Sequence, residues 1–287
     1  MLDSIAPSLE PSLSAPPGSD VWTVEQAIAK LSHKDTGLRY YAAWWLGKVL
    51  GTAGTDAEHH AAAVDALMLA LQDEADRTEL GGYPLRRNAA RALGKLADRR
   101  AVPSLMVCLD CDDFYVREAA AQALGSLGDR TCIPALIRLL DGGVAAAQLV
   151  PGRPHLTQPY EAVIEALGAL AAIETTDLIR PFVEHPVARV QYAATRAMYQ
   201  LTQNPAYGER LVHALQGSDI QLRRTALSDL GAIGYAPAAE AIASSAAENS
   251  FKLFALKGLL EHQLRLETTE ALDERSLQIM TLMDSLL

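Results

Sequence analysis

A nine-residue motif that recurs along the chain is the feature that most constrains its fold. In the clearest copies an Arg is followed by Ala-Ala three and four residues later and by Leu-Gly seven and eight residues later. The copies start at residues 39, 86, 117, 160, 190, 223 and 252. The spacing is close to 30 residues, with two longer intervals after the first and third copies. A sequence period of 20–50 residues is typical of solenoid proteins.

Each copy of the motif has apolar residues three and four positions apart, which places them on one face of a helix. Before the copies lie further segments with the same periodicity, at 23–31, 61–71, 101–109, 131–140, 176–183, 207–215 and 237–246. Thr23 and Gln26 have the spacing of a capping box at the start of the first segment. The repeating unit is therefore a helix pair. We predict an all-α, HEAT-like α-solenoid of about seven helix-pair repeats.

Composition limits the partners and the location of the protein. The 287 residues carry a net charge of −10, which argues against a nucleic-acid partner because phosphate binding needs clustered Lys and Arg. No apolar run approaches the ~20 residues of a membrane span, so we expect no membrane insertion. Three cysteines and no export signal favour the reducing cytoplasm.

We expect three regions along the chain. Residues 1–20 contain four prolines and several serines, and we interpret them as a flexible tail. Residues 21–262 form the helical array, and residues 263–287 form a helical extension or a tail. Within the array, Asp35, Asp113 and Asp219 each precede a motif Arg by four residues, so we expect those arginines to bond to these acids and to be structural.

The two long intervals contain segments rich in turn residues. Insertion 1, residues 73–87, reads DEADRTELGGYPLRR, and insertion 2, residues 141–161, reads DGGVAAAQLVPGRPHLTQPYE. Long loops in a compact array are usually functional or disordered, and in solenoids they often lie on the binding face. We therefore expect functional residues in both insertions.

The first copy of the motif contains an aromatic run, Tyr-Tyr-Ala-Ala-Trp-Trp, at residues 40–45. At least part of this run occupies positions that are polar in the next copy. One interpretation is an exposed aromatic patch that binds a ligand or a partner. The other is that this terminal repeat buries its aromatic side chains beneath the N-terminal helix.

Several segments together resemble a known family. RYYAAWWLGK, DRTELGGYPLRRNAARALGKL, DFYVREAAAQALGSLGD and LVPGRPHLTQPYEAVIEALG are similar to segments of the E-type (alpha) subunits of the heterodimeric E/F phycobilin lyases. The resemblance covers about residues 21–262 and is most specific at 76–94 and 148–168. It implies a lyase, active with an F-type subunit, that attaches a bilin through a thioether to a cysteine of the phycocyanin alpha subunit. Such pairs can also detach or transfer the pigment.

The resemblance implies phycocyanobilin as the substrate and no permanently bound cofactor. The E subunit of the isomerising phycoerythrocyanin lyase stays open as an alternative. A non-catalytic scaffold and a bilin chaperone also stay open. An iron hydroxylase built on HEAT repeats would need His-Glu dipeptides, and the sequence has none. Cys108 and Cys111 form a single C-x-x-C, a weak metal signal, and we predict no metal site.

A bilin that carries two propionates and a flat conjugated face calls for particular side chains. Arginine pairs with carboxylates bidentately, and the candidates are Arg77, Arg86, Arg87 and Arg153. Exposed aromatic residues suit the pigment face, and the candidates are Tyr40, Tyr41, Trp44, Trp45, Tyr83 and Tyr160. A carboxylate stabilises protonated pyrroles, and the candidates are Asp76, Glu79 and Glu161. His155 in insertion 2 is the candidate general acid or base.

Overall fold

The computed structural model describes residues 22–51, 57–75, 77–79, 81–266 and 272–287. The tail expected at 1–20 and the candidate Asp76 lie outside these ranges. The chain divides into two compact units, of which the first ends at Ala166 and the second comprises Leu167–Leu287.

The first unit contains the helices of the first repeats and both insertions. Its helices are α1 (Val24–Lys30), α2 (Thr36–Leu50), α3 (Ala57–Ala70), α4 (Pro84–Leu96), α5 (Val102–Cys108), α6 (Phe114–Leu127), α7 (Ile133–Arg138), α8 (Gly143–Ala146) and the start of α9 (Tyr160–Ala169). Short 3₁₀ turns at Arg99–Ala101 and Arg130–Cys132 lead into α5 and α7.

The second unit has the same construction. After the end of α9 its helices are α10 (Thr176–Ile179), α11 (Ala188–Thr202), α12 (Pro205–Ala214), α13 (Ile220–Ile233), α14 (Ala239–Ser244), α15 (Asn249–Leu266) and α16 (Glu274–Asp284). Its 3₁₀ turns are Ile173–Thr175, Arg180–Glu184 and Ala236–Ala238. Residue Ile279 of α16 is buried in the core of this unit.

The predicted all-α, HEAT-like solenoid is confirmed. Every copy of the motif lies on a helix, namely α2, α4, α6, α9, α11, α13 and α15, and a helix precedes each one. Thr23 and Gln26 form the predicted capping box of α1. Among the described residues there is no β-strand, and extended pairing is limited to an isolated bridge between Leu149 and Leu156.

The Leu-Gly of the motif has a packing role. A Cβ added to Gly94 would lie 2.9 Å from the Cα of Ala123, and a Cβ added to Gly125 would lie 2.9 Å from the Cα of Ala166. Each glycine therefore meets an alanine of the next copy at a distance that excludes any side chain. The motif repeats because successive helices of this kind pack backbone against backbone.

The predicted partner of the motif arginines is wrong. Asp219 is the N-cap of α13 and accepts a backbone N–H from its first turn at 2.8 Å. Arg223 instead donates to the carbonyl of Gly217 at 2.6 Å. Asp35 and Asp113 cap α2 and α6 in the same way. The acid satisfies the orphan N–H groups of its own helix. Arg117 and Arg223 donate to backbone carbonyls just before their helices. Arg39 donates to the carbonyl of Leu31 and pairs with a different acid, Asp73.

Candidate functional site

Insertion 1 is organised around the ring of Tyr83. The guanidinium of Arg86 lies 4.2 Å from the ring centroid and that of Arg77 lies 5.5 Å from it. Arg86 also donates through Nε to the carbonyl of Asp73 at 2.6 Å and pairs with Glu74 at 3.3 Å. Arg86 is therefore held by the backbone of the insertion, whereas Arg77 is exposed.

A tight turn orders the middle of insertion 1. The N–H of Thr78 donates to the carbonyl of Gly82 at 2.8 Å, and the N–H of Gly82 donates back to Oγ1 of Thr78 at 2.9 Å. Gly81 has a φ of 86°, in the region that favours glycine. Glu79 is exposed on this turn.

Insertion 2 folds back on itself as a short hairpin. The N–H of Val150 donates to the carbonyl of His155 at 3.0 Å, and the N–H of Thr157 donates to the carbonyl of Gln148 at 3.0 Å. At the tip, the N–H of Arg153 donates to the carbonyl of Val150 at 3.0 Å. The side chain of Arg153 is exposed at the tip of this hydrogen-bonded hairpin.

The ring of His155 packs against the start of α6. It stacks on Phe114 with ring centroids 4.2 Å apart and planes 11° apart. Tyr115 meets it edge to face at 5.8 Å. Nδ1 of His155 lies 2.8 Å from the carbonyl oxygen of Leu156. His155 is half-buried.

The first turn of α6 contacts both insertions. Oδ2 of Asp113 accepts the N–H of Tyr83 in insertion 1 at 2.7 Å. Arg117 donates to Oε1 of Gln158 at 2.9 Å and to the carbonyl of Thr157 at 3.2 Å, both in insertion 2. Burial lowers the pKa of Arg117.

Contacts through α6 thus join residues of the two insertions. We call those that are at least partly exposed the insertion surface: Arg77, Asp113, Phe114, Tyr115, Arg117, Arg153 and His155.

The aromatic run forms a separate groove. Tyr41 and Trp45 are buried, and Trp22 packs on them with ring centroids 5.5 and 6.2 Å away. Trp44 is half-exposed, and Nζ of Lys48 lies 5.0 Å from its ring centroid. The groove that these residues line has a volume of about 450 Å³. The burial of Tyr41 and Trp45 agrees with the second interpretation for these two residues, whereas Trp44 lines the groove. Binding of a ligand or a partner by the run stays a prediction.

The three cysteines differ in burial. In the ranges that the structure describes, no group of three or more His, Cys, Asp or Glu is arranged to hold a metal ion. Cys108, Cys111 and Cys132 are free thiols. Burial raises the pKa of Cys108 to about 12 and that of Cys132 to about 11.

Comparison with known proteins agrees with this architecture. A family model described as HEAT repeats matches residues 83–147. The phycocyanobilin lyase subunit alpha of Nostoc sp. (strain PCC 7120) is 63% identical over 282 residues, which cover 97% of this chain and 100% of the relative. The chain belongs to the phycocyanobilin lyase subunit alpha family.

A second relative and a solved structure extend this likeness. The phycocyanobilin lyase subunit alpha of Thermosynechococcus vestitus is 66% identical over 243 residues, covering 85% of this chain and 88% of the relative. A chain in the solved complex of CpcE and CpcF of the phycocyanin lyase from Nostoc sp. PCC 7120 is 62% identical, with a TM-score of 0.86. That match covers 98% of this chain and 100% of the other. None of the helices described for this family member has the length and hydropathy of a membrane span.

In this phycocyanobilin lyase alpha-type chain, the aromatic candidates are less exposed than we expected. Tyr41, Trp45, Tyr83 and Tyr160 are buried, so their expected surface position is wrong. Tyr160 begins α9 at the end of insertion 2, and its hydroxyl lies 3.5 Å from that of Thr157 in the hairpin. Tyr40 and Trp44 are half-exposed. A role for any of the six in bilin binding stays a prediction.

The charged candidates of this lyase-family chain divide by exposure. Arg77, Arg153 and Glu79 are exposed, whereas Arg86, Arg87 and Glu161 are half-buried. Phe114, Tyr115 and Arg117 of the insertion surface are not among the site residues predicted from the sequence. A signal for them existed, since Phe114 and Tyr115 directly follow Asp113, the N-cap of a helix that begins between the two insertions. Trp22 and Lys48 of the aromatic groove were also missed.

Proposed function

We propose that this chain is the alpha subunit of a heterodimeric bilin lyase. With an F-type subunit it attaches phycocyanobilin through a thioether to a cysteine of the phycocyanin alpha subunit, and it can also detach or transfer the pigment. The full-length likeness to the phycocyanobilin lyase alpha subunit of Nostoc carries this proposal. The bilin is bound as a substrate, and the chain holds no permanent cofactor. Three free thiols support a cytoplasmic location.

The reaction is an addition and needs no redox partner. The acceptor S–H bond breaks and a C–S bond forms at the exocyclic carbon of the ethylidene group. The π electron pair of that double bond becomes a new C–H bond at the ring carbon. The protein must therefore orient the pigment, accept the thiol proton and return a proton to the pigment.

The insertion surface is where we assign this chemistry. Arg77 and Arg153 are exposed guanidinium groups on different insertions, suited to the two propionates of one pigment. His155, which contacts the rings of Phe114 and Tyr115, is the group that we assign to proton transfer. Arg86 also stabilises insertion 1, because it donates a hydrogen bond to the backbone of that insertion.

The aromatic groove is the second surface that we assign to binding. Trp44 beside Lys48 offers an aromatic face next to a positive charge. Such a face suits either the pigment or the F-type subunit. Trp44→Ala should impair one of the two, and separate assays of pigment transfer and heterodimer formation identify which.

The proposal is tested by coexpression of this chain with an F-type subunit, pigment-forming enzymes and the phycocyanin alpha subunit. Absorbance and zinc-enhanced fluorescence of the denatured acceptor report a covalent phycocyanobilin. A covalent adduct that requires both subunits supports the proposal. An isomerised bilin attached to a phycoerythrocyanin acceptor would favour the alternative of an isomerising lyase subunit. Pigment binding without any covalent product would favour a chaperone or a scaffold.

A further inference from the structure

We propose that Phe114 is a positioning residue that fixes the ring of His155, so that Nε2 of His155 is the atom presented to the reacting thiol. This inference rests on the proposed function, and it assigns a role to a residue outside the predicted candidates. It follows from three features of the insertion surface: a hydrogen bond, a ring stack and the attachment of insertion 2 to α6.

The hydrogen bond fixes which ring nitrogen carries the proton. Nδ1 of His155 lies 2.8 Å from the carbonyl oxygen of Leu156. A carbonyl oxygen only accepts hydrogen bonds, so Nδ1 is the donor and bears the hydrogen. In the neutral imidazole the lone pair then resides on Nε2. Nε2 is therefore the nitrogen able to take a proton.

The ring stack fixes the plane of the imidazole. Phe114 lies nearly parallel to it at a centroid distance of 4.2 Å, and Tyr115 closes one edge at 5.8 Å. An imidazole ring rotated out of this plane would either collide with Phe114 or no longer stack on it. The two rings and the carbonyl of Leu156 together define the direction of the Nε2 lone pair.

The support for this stack is rigid because both aromatic residues belong to the first turn of α6. Asp113 caps that turn by accepting the N–H of Tyr115 at 2.8 Å. Arg117, one turn further along, donates to the carbonyl of Cys111 at 2.6 Å and to the side chain of Gln158 at 2.9 Å. The arginine thus ties the base of insertion 2 to α6. A catalytic group supported by a helix is held more accurately than one on an unsupported loop.

The geometry gives His155 a defined part in the addition. Nε2 accepts the proton as the acceptor S–H bond breaks and the sulfur forms its bond to the ethylidene carbon. The imidazolium then returns that proton to the ring carbon, where the displaced π pair forms the C–H bond. Atoms and charge balance, and the imidazole ends in its starting form.

Two variants at position 114 separate positioning from folding. Phe114→Leu keeps apolar volume but removes the planar face, and Phe114→Tyr keeps the plane. With the lyase heterodimer, Phe114→Leu should lower kcat for pigment transfer about tenfold or more with little change in KM for the acceptor, because the proton acceptor is misaligned. Phe114→Tyr should stay close to wild type. Wild-type kcat in Phe114→Leu, or an equal loss in both variants, would overturn the inference.

A second measurement reads the ring itself and needs no activity. In the heterodimer with ¹⁵N-labelled histidine in this chain, at a pH high enough to deprotonate imidazolium, the two nitrogens of His155 should give the shifts of the Nδ1-protonated tautomer. The resonance is assigned by its loss in His155→Gln. Phe114→Leu should move these shifts toward a tautomer average, and Phe114→Tyr should preserve them. Two results would contradict the assigned role. The wild-type ring would lack the shifts of Nδ1 protonation, or Phe114→Leu would leave those shifts unchanged. Failure of the proposed function is distinguishable from failure of this positioning role, because the wild-type heterodimer would then yield no covalent adduct.

Discussion

Oδ2 of Asp113 accepts the backbone N–H of Tyr83 at 2.7 Å while Oδ1 of the same carboxylate caps α6 at 2.8 Å. One side chain thereby ties insertion 1 to the helix that supports His155 in insertion 2. The insertions lie far apart in sequence, yet the contacts of a single helix turn bring their residues to one surface.

Asp113→Ala should destabilise the protein more than an ordinary cap deletion. The change removes the cap of α6, which costs about 1 kcal/mol, and leaves the N–H of Tyr83 without its acceptor, which costs about 1–3 kcal/mol more. Asp219→Ala is the matched control, because Asp219 accepts only from the first turn of its own helix α13 in the described contacts. Urea unfolding of both variants measures the difference. Equal losses of unfolding free energy would contradict the linking role of Asp113.

Gly94→Ala tests the close packing of successive motif helices. The added methyl group would meet the Cα of Ala123 at 2.9 Å, and a backbone atom in a helix has little freedom to move. We expect the free energy of unfolding to fall by about 1–3 kcal/mol, although alanine alone favours a helix by about 1 kcal/mol. Gln122→Ala, an exposed change on α6, should be nearly neutral. A stabilised Gly94→Ala protein would show that the helices are not in backbone contact.

The fold was predictable because the motif has a direct physical cause. The glycine at the end of each clear copy meets the next helix, and the apolar positions follow the helical period, so the period reveals the helix pairs. The partner of the motif arginine was not predictable by spacing alone. Asp219 and Arg223 are one turn apart and could pair in a continuous helix, but the aspartate precedes the helix and turns its oxygens toward N–H groups.

The candidate site was predictable only in part. Turn residues identified both insertions, and the exposed Arg77, Arg153 and Glu79 follow from their place in them. The burial of Tyr83 and Tyr160 did not follow, because it depends on how each insertion folds back over its own helix. Phe114 resembled an ordinary apolar residue, and only the contact with His155, 41 positions away, shows its position on the insertion surface.

Arg153→Ala and Arg86→Ala should separate pigment contact from structure. Arg153 is exposed at the hairpin tip, so its loss should change stability by less than about 0.5 kcal/mol while it weakens pigment transfer. Arg86 donates to the carbonyl of Asp73, and its loss should cost about 1–3 kcal/mol. Thermal unfolding and adduct yield, each measured for both variants, test the distinction. Normal transfer by Arg153→Ala would remove that residue from the site.

The three thiols should differ in reactivity. Burial raises the pKa of Cys108 to about 12 and that of Cys132 to about 11, and the thiolate is the reactive form. At pH 8 a chromogenic disulfide should therefore titrate Cys111 rapidly in the native protein and all three thiols after unfolding. Because folding favours the neutral Cys108 thiol, its contribution to stability is complete below the ordinary pKa of 9.0 and is lost as pH rises toward 12.

Cys111→Ser provides the control for this titration. It should abolish the rapid reaction and leave pigment transfer unchanged, because the acceptor cysteine belongs to phycocyanin in our proposal. Rapid labelling of Cys108 or Cys132 in the native variant would contradict their burial. A loss of transfer would instead give this chain a covalent part in the reaction.

The most direct test of the central claim is the yield of covalent phycocyanobilin on the phycocyanin alpha subunit when this chain carries Arg153→Ala together with His155→Gln. Both changes lie in insertion 2, and heterodimer formation with the F-type subunit is measured in the same samples. If the insertion surface performs the chemistry, the heterodimer forms normally and the adduct falls at least about a hundredfold, as for loss of a general base. A wild-type adduct yield from the double variant would contradict the account.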